Sequence, residues 1–183
     1  MTKFTLTLAA VLLAGCSSVT QLSEKTAGEI RQAVSIQASG KNSGTQFSGP
    51  KLQATTDGSD LNLYYYNLRA FEPATNESTK YHLQIHITYR KAWRHYDSAE
   101  LNGGQPVETA PINKNVLQCV SGNECMLEEI LDIALTEEQI LASVRNRDKL
   151  KLKLRARSGH SSTIEVPATY LLGFYAAVAN YEG

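Results

Sequence analysis

Alternating apolar and polar residues dominate the middle and the C-terminal part of the chain. The clearest alternation runs over residues 81–90, with apolar side chains at odd positions and polar ones, including His82 and His86, at even positions. Successive side chains of a strand point to opposite faces, so this period of two predicts a strand buried on one face. The same pattern predicts strands over residues 61–66 and 149–157.

Turn signals divide the strand region into hairpins. Asn102-Gly103-Gly104 separates two short extended pieces, and Ser121-Gly122-Asn123 separates residues 115–120 from residues 126–135. Asn-Gly and Gly-rich pairs favour the tight turns that join antiparallel strands. By contrast, residues 40–50 are rich in Gly and Ser and predict a loop.

Three segments carry helix signals. Capping boxes begin at Thr26 and at Thr136, where a Glu or Gln follows three residues later. The first box precedes apolar residues at helical spacing, so we expect a helix that extends toward a stop at Gly40. The second predicts a short helix, and Pro167 opens a third over residues 168–179, which is too short to span a bilayer.

The order of these elements predicts the fold class. A helix precedes a long run of strands, followed by one inserted helix, another strand and a terminal helix. We therefore expect an α+β fold, mainly antiparallel β (sheet or sandwich), with an N-terminal helix, one inserted short helix and a C-terminal helix. The length of 183 residues suits one domain, which we place at residues 26–183.

Composition and charge exclude several classes of protein. Apolar residues make up 42% of the chain, enough for a sizeable core and against global disorder. Basic and acidic residues number 18 each, whereas a nucleic-acid binder normally shows a basic excess. There is no apolar run of the length that a polytopic membrane protein would need.

The first sixteen residues have the pattern of a secretory signal. Lys3 supplies the positive charge, residues 4–13 are apolar, and Leu13-Ala14-Gly15 leads to Cys16. This segment resembles the lipobox of bacterial lipoproteins. The resemblance implies cleavage before Cys16, diacylglycerol on its sulfur, and usually a third acyl chain on the new amino terminus.

The same resemblance implies a location. Residues 1–15 would be the cleaved signal peptide, and residues 16–25 a lipid-anchored tether. The residue after Cys16 is Ser17, whereas an inner-membrane retention signal has aspartate at that position. The implied location is therefore the outer membrane of a Gram-negative cell, with the domain facing the periplasm. In a Gram-positive cell, the address would be the outer face of the plasma membrane. Several acyl chains give an anchor that does not readily dissociate.

Cys119 and Cys125 flank a turn signal in this oxidising compartment, so we predict a structural disulfide between them. The spacing differs from the Cys-X-X-Cys of redox pairs, and two further ligands for a metal are missing nearby.

We also predict no metal at the histidines, because His82 and His86 of one strand would stand about 13 Å apart. Gly159-His160-Ser161-Ser162 lacks the nucleophile-elbow pattern and reads as a turn. No catalytic residue and no cofactor are predicted.

A row of basic residues is the strongest unexplained pattern. Five like charges share one face of the predicted strand, at Lys149, Lys151, Lys153, Arg155 and Arg157; we call them the basic ladder. Acidic residues of the preceding segment, Glu124, Glu128 and Asp132, would neutralise the row if they lay across from it. A protected sheet edge is another structural explanation. The functional alternative is a docking surface for an anionic partner.

We therefore expect a lipid-anchored envelope lipoprotein that acts as a non-enzymatic binding or assembly accessory. Its partners would be the membrane, through Cys16, and an envelope protein, lipopolysaccharide or glycan, with no nucleic acid. The alternative is a periplasmic hydrolase or glycan-acting enzyme whose site is gathered from distant segments. A pocket that holds a histidine beside an acid would favour that alternative.

Overall fold

The computed structural model of the protein describes residues 25–38, 44–54, 63–75, 77–101, 103–120 and 124–181. Its helices are α1 (Ala27–Gln32), α2 (Glu137–Asn146) and α3 (Ala168–Ala179). Its strands are β1 (Ser35–Ala38), β2 (Thr45–Ser48), β3 (Leu52–Ala54), β4 (Leu63–Glu72), β5 (Lys80–Arg90), β6 (Tyr96–Leu101), β7 (Gln105–Val107), β8 (Thr109–Val120), β9 (Glu124–Leu135), β10 (Leu150–Ala156) and β11 (Ser161–Val166). The predicted fold class is confirmed.

The strands form two antiparallel sheets. The large sheet has the order β1-β2-β4-β5-β9-β8, and β3 pairs with β4 beside β2. The small sheet has the order β11-β10-β6-β7. The signal peptide, Cys16 and residues 16–24 of the tether lie outside the described residues, as do Asn102 and the turn at residues 121–123. None of the three described helices has the length and apolar content needed to cross a bilayer.

One hydrophobic core joins the buried faces of both sheets and the helices. The odd residues of β5 face this core, as their alternation predicts, and they pair with buried residues of β9. In β4, Tyr64 and Tyr66 are buried while Tyr65 lies on the opposite face, half-buried. The period of two thus sorts each strand into a core face and an outer face.

Helix α3 supports the large sheet from its core side through Tyr170. The Tyr170 hydroxyl accepts a hydrogen bond from the Leu68 amide at 3.0 Å and donates one to the Pro50 carbonyl at 2.9 Å. Pro50 lies where the chain passes from β2 to β3, and Leu68 lies in β4 opposite this gap, between the residues that pair with β2 and those that pair with β3. A Cβ on Gly49 would lie 2.5 Å from that hydroxyl, so the close approach requires glycine.

A buried carboxylate fixes the connection between the two sheets. Glu129 of β9 is 1% exposed and accepts hydrogen bonds from the backbone amides of His95 and Tyr96, at 2.9 and 3.0 Å, and from the Tyr89 hydroxyl. The Nζ of Lys114 lies 3.7 Å from the same carboxylate and supplies the opposite charge. A buried carboxylate needs such partners, and here they hold the turn from β5 into β6.

Two expectations about the N-terminal region are wrong. The predicted helix toward Gly40 ends at Gln32, and Ser35–Ala38 forms strand β1 instead. Residues 40–50 were expected to be a loop, but Thr45–Ser48 forms β2, which pairs with β1 and β4. Tertiary pairing overrides the local signals here, since Phe47 is 1% exposed and anchors β2 to the core.

Candidate functional site

The outer face of the large sheet holds a cavity of about 540 Å³, which we call the trough. Every strand of the order β1-β2-β4-β5-β9-β8 contributes to its lining. The lining residues are Ser35, Gln37, Gln46, Phe47, Ser48, Arg69, Ala70, Phe71, His82, Ala110, Ile112 and Asp132. Side chains of six neighbouring strands therefore meet at one site.

The trough exists because the large sheet is curved. Its first strand, β1, and its last strand, β8, stand at opposite ends of the strand order, yet both line the same cavity. Strand β8 carries two register shifts, at Pro111/Asn113 and at Val116/Gln118. Such bulges bend a strand and increase its twist. The outer face is consequently concave.

A histidine and a carboxylate pair inside the trough. The Nδ1 of His82 lies 2.6 Å from Oδ2 of Asp132, and the two side chains are 38% and 23% exposed. Antiparallel pairing places Gln84 opposite Asp132, so His82 reaches this carboxylate diagonally across β5 and β9. A carboxylate accepts hydrogen bonds, so the Nδ1–H of His82 is the donor in this pair. The other ring nitrogen, Nε2, can then form a hydrogen bond with a ligand.

A second histidine–carboxylate pair lies beside the trough on the same face. The Nδ1 of His86 is 3.0 Å from Oε1 of Glu128, and both side chains are 14% exposed. Asn115 donates a hydrogen bond of 2.8 Å to the other oxygen, Oε2. Burial alone would raise the pKa of Glu128, but the hydrogen bonds from Asn115 and His86 outweigh it and hold that pKa below its usual value.

The histidines do not converge on a metal site. His82 and His86 each contact a different carboxylate. Within the described ranges, no group of three or more His, Cys, Asp or Glu side chains is placed to hold an ion. His160 lies in the turn before β11, where its Nδ1 is 2.9 Å from the Ser158 hydroxyl.

The basic ladder lies on the outer face of the small sheet and is largely ion-paired. Lys149 and Lys151 lie 2.7 and 3.8 Å from the carboxylate of Glu165. Arg155 donates two hydrogen bonds to Glu100, at 2.8 and 2.9 Å. Lys153 stands directly opposite the same Glu100 in the strand register.

The ladder ends with Arg157, whose Nε lies 2.6 Å from Asp97. Hydrogen bonds from Arg157 and Arg155 lower the pKa of Asp97 and of Glu100, respectively, below their usual values. The acidic partners thus come from β6 and β11.

Two structural explanations of the ladder are corrected by this arrangement. The expected acidic partners Glu124, Glu128 and Asp132 belong to β9 of the large sheet and do not face the ladder. Strand β10 is also not a protected edge, because it pairs with β11 on one side and β6 on the other. Residues 124–135 form β9 of the large sheet, and their alternation alone does not show which sheet the strand joins.

Cys119 and Cys125 face each other at the end of the β8–β9 hairpin. They are direct cross-strand partners, with Cα atoms 4.0 Å apart and sulfur atoms 1.98 Å apart, which is disulfide distance. This geometry confirms the predicted pairing. It ties β8, an outer strand of the trough, to β9.

Sequence reasoning missed most of the trough. Arg69, Phe71 and Gln46 were not singled out, although each lies on the outer face of a strand. The available signal was the polar face of β5, which carries His82, Gln84 and His86 where an ordinary solvated face would carry Lys or Glu. Comparison with protein-family models, curated proteins and solved structures finds no match to the chain.

Proposed function

We propose that this protein is a lipid-anchored envelope lipoprotein that acts as a non-enzymatic binding accessory on the periplasmic side of the outer membrane. Its ligand is a hydrophilic envelope component that binds in the trough. The observation that carries the proposal is the convergence of side chains from six strands on one concave surface, with seven polar residues among the twelve of its lining. Concave surfaces with convergent polar groups are the usual places for ligand binding.

The anchor rests on the sequence of the signal segment. Cys16 follows an apolar run and small residues, the arrangement that resembles a lipobox. A ten-residue segment such as residues 16–25 can span at most about 36 Å. That length would allow the folded domain to stand clear of the lipid surface and present the trough to the periplasm.

The basic ladder is the weaker candidate for the binding surface. Its cations already neighbour Glu165, Glu100 and Asp97, so an anionic partner would have to compete with these carboxylates. Among the described lining residues of the trough, His82 and Asp132 form the only such pair. We therefore assign ligand binding to the trough in preference to the ladder.

Photocrosslinking in intact cells tests this assignment. A photoreactive residue replaces Gln46 in the trough or, as the matched control, Lys153 on the small sheet. We expect capture of an envelope component from position 46 only, and loss of that capture when Cys16→Ser removes the anchor. Capture from position 153 alone would return the function to the ladder, and no capture from either position would contradict the trough as a binding site.

A periplasmic hydrolase is the second candidate, and the His82–Asp132 pair favours it. A histidine held by a carboxylate through Nδ1 can act as a general base through Nε2. No hydroxyl of the described residues hydrogen-bonds to His82, so the base would activate a water molecule. Envelope glycans incubated with the lipidated protein would then be cleaved, with activity lost in His82→Ala and kept in His160→Ala. Equal behaviour of the two variants would exclude this role.

A further inference from the structure

The lining of the trough indicates which class of ligand it takes. We infer that the ligand is an uncharged, hydroxyl-rich oligosaccharide, an inference that rests on the proposed function of the trough as a binding site. Three properties of the lining lead to this class: its hydrogen-bonding groups, its charge balance and its aromatic ring.

The hydrogen-bonding groups at one end of the trough are hydroxyls and amides. Ser35 and Ser48 are directly opposite each other on β1 and β2, and Gln37 and Gln46 form the next such pair on this face. A hydroxyl or a carboxamide both donates and accepts hydrogen bonds. Sugar hydroxyls also do both, so rows of Ser and Gln match a surface of hydroxyl groups more closely than rows of ionic side chains would.

The charges in the lining nearly cancel. Arg69 is the one Lys or Arg of the described lining, and Asp132, paired with His82, is its one carboxylate. A site for phosphate or for an acidic polymer would carry an excess of cations. The small sheet has such an excess and the trough does not, which favours an uncharged ligand here.

An aromatic ring lies beside the amides. Phe71 of β4 is half-buried in the lining, and Gln46 is its direct cross-strand partner. The face of an aromatic ring packs against the apolar C–H side of a sugar, while a neighbouring amide binds the hydroxyls at its rim. Apart from this ring, the side chains reaching the outer face of β1, β2 and β4 in the trough are polar, while β8 adds the apolar Ala110 and Ile112 at the far end. A lipid tail would need a predominantly apolar lining.

The shape suits a chain of sugars. The trough crosses six strands, and strands lie about 4.8 Å apart, so the path across the sheet is about 24 Å before curvature shortens it. Its volume of about 540 Å³ falls within the range of about 300–1,000 Å³ that ligand sites occupy. The binding site is open and elongated, as an oligosaccharide requires.

Binding to defined oligosaccharides tests the inference. The lipidated full-length protein in detergent is applied to an array of neutral and anionic oligosaccharides, and the affinity for the best neutral one is measured by calorimetry. We expect neutral glycans to bind and Phe71→Ala to weaken binding about tenfold, since an aromatic contact contributes on the order of 1.4 kcal/mol. Gln46→Ala should weaken binding too, whereas Lys153→Ala on the small sheet should not.

Several outcomes would overturn the inference. Binding of anionic glycans only, or equal affinities of Phe71→Ala and Lys153→Ala, would contradict it, provided that circular dichroism shows both variants folded. If Phe71→Ala fails to fold, the affinity of Gln46→Ala for the neutral glycan is used instead, and an affinity equal to that of Lys153→Ala would contradict the inference. Crosslinking at position 46 that captures a protein or peptide, without glycan binding in vitro, would reject the glycan while leaving the trough as a binding site. Failure of both experiments would reject the trough itself.

Discussion

The outer faces of the two sheets differ in how their polar residues are arranged. On the small sheet, the basic ladder is exposed and pairs with carboxylates of the neighbouring strands, such as Glu165 and Glu100. On the large sheet, His86 and Glu128 are mostly buried and His82 lies in a cavity. The first face is an array of exposed ion pairs around a cavity of about 420 Å³, and the second holds the trough, whose lining mixes polar and apolar side chains.

This difference shows that a prominent charge pattern is a poor guide to a binding site. Exposed ion pairs contribute little stability and need no ligand, because cross-strand partners and water already satisfy them. Polar groups inside a cavity are partly shielded from water. A ligand that forms hydrogen bonds with them therefore displaces fewer waters than it would on an open surface. Both faces hold a cavity, and what separates them is that the ladder is paired with carboxylates along its length whereas the described lining of the trough has one such pair, His82 with Asp132.

The largest effect should come from removing the support behind the trough. Tyr170→Phe leaves the Leu68 amide and the Pro50 carbonyl without their hydrogen-bond partner. We expect the free energy of unfolding to fall by about 3 kcal/mol, since each unsatisfied buried group costs about 1–3 kcal/mol. Urea unfolding followed by circular dichroism measures it.

The matched control is Tyr175→Phe, the same substitution on the same helix. The Tyr175 hydroxyl donates to the exposed Glu137, so its loss should cost less than about 0.5 kcal/mol. Equal losses in the two variants would show that the Tyr170 hydroxyl has no special part in supporting β4.

A smaller effect should appear as a pH dependence beside the trough. The pKa of Glu128 is lower in the folded state than its usual value of 4.5, so its stabilising contribution is present above that pH. The contribution is lost as the pH falls through the lowered pKa. We expect Glu128→Gln to flatten the decline in unfolding free energy below about pH 4.5, by under about 1 kcal/mol.

The control for this prediction is Glu124→Gln, at the exposed start of the same strand. Urea unfolding at several pH values from neutral to about pH 3 compares both variants with the wild type. A slope for Glu128→Gln that matches the wild type would mean that its contacts with His86 and Asn115 do not stabilise the folded state.

The smallest effect should come from the ladder. Arg155→Ala removes the two hydrogen bonds to Glu100 on an exposed face, and we expect Tm to fall by no more than about 3 °C. Added salt should shrink the difference between variant and wild type, because it screens exposed charges. A large loss of Tm that persists in salt would show that the ladder stabilises the small sheet more than surface pairs normally do.

Local patterns were sufficient to predict much of the fold. The capping box at Thr136, the alternation in β5 and the proline before α3 each act within a few residues, so they predict elements correctly. They failed at β1 and β2, which are short: β1 is held by pairing with β2, and β2 by pairing with β4. Pairing partners distant along the chain leave no local signal.

The site was less predictable than the fold. The row of cations in β10 and the cysteine pair could be read directly, and both lie where their strand pattern placed them. The acidic partners of the ladder could not be predicted, because the sequence pattern does not show that β6 and β11 pair with β10. Likewise, the contact of His82 with Asp132 joins residues 50 positions apart.

The sequence by itself determined most of the elements, the core face of strands with clear alternation such as β5, the cysteine pair and the lipobox-like segment with Cys16. These depend on interactions between near neighbours and on the two-residue period of a strand. Only the tertiary structure decided which sheet each strand joined, which acid met each base, and that the large sheet curved into a trough. Strand order and curvature arise from packing against the core and from bulges such as those in β8, which act over the whole sheet at once.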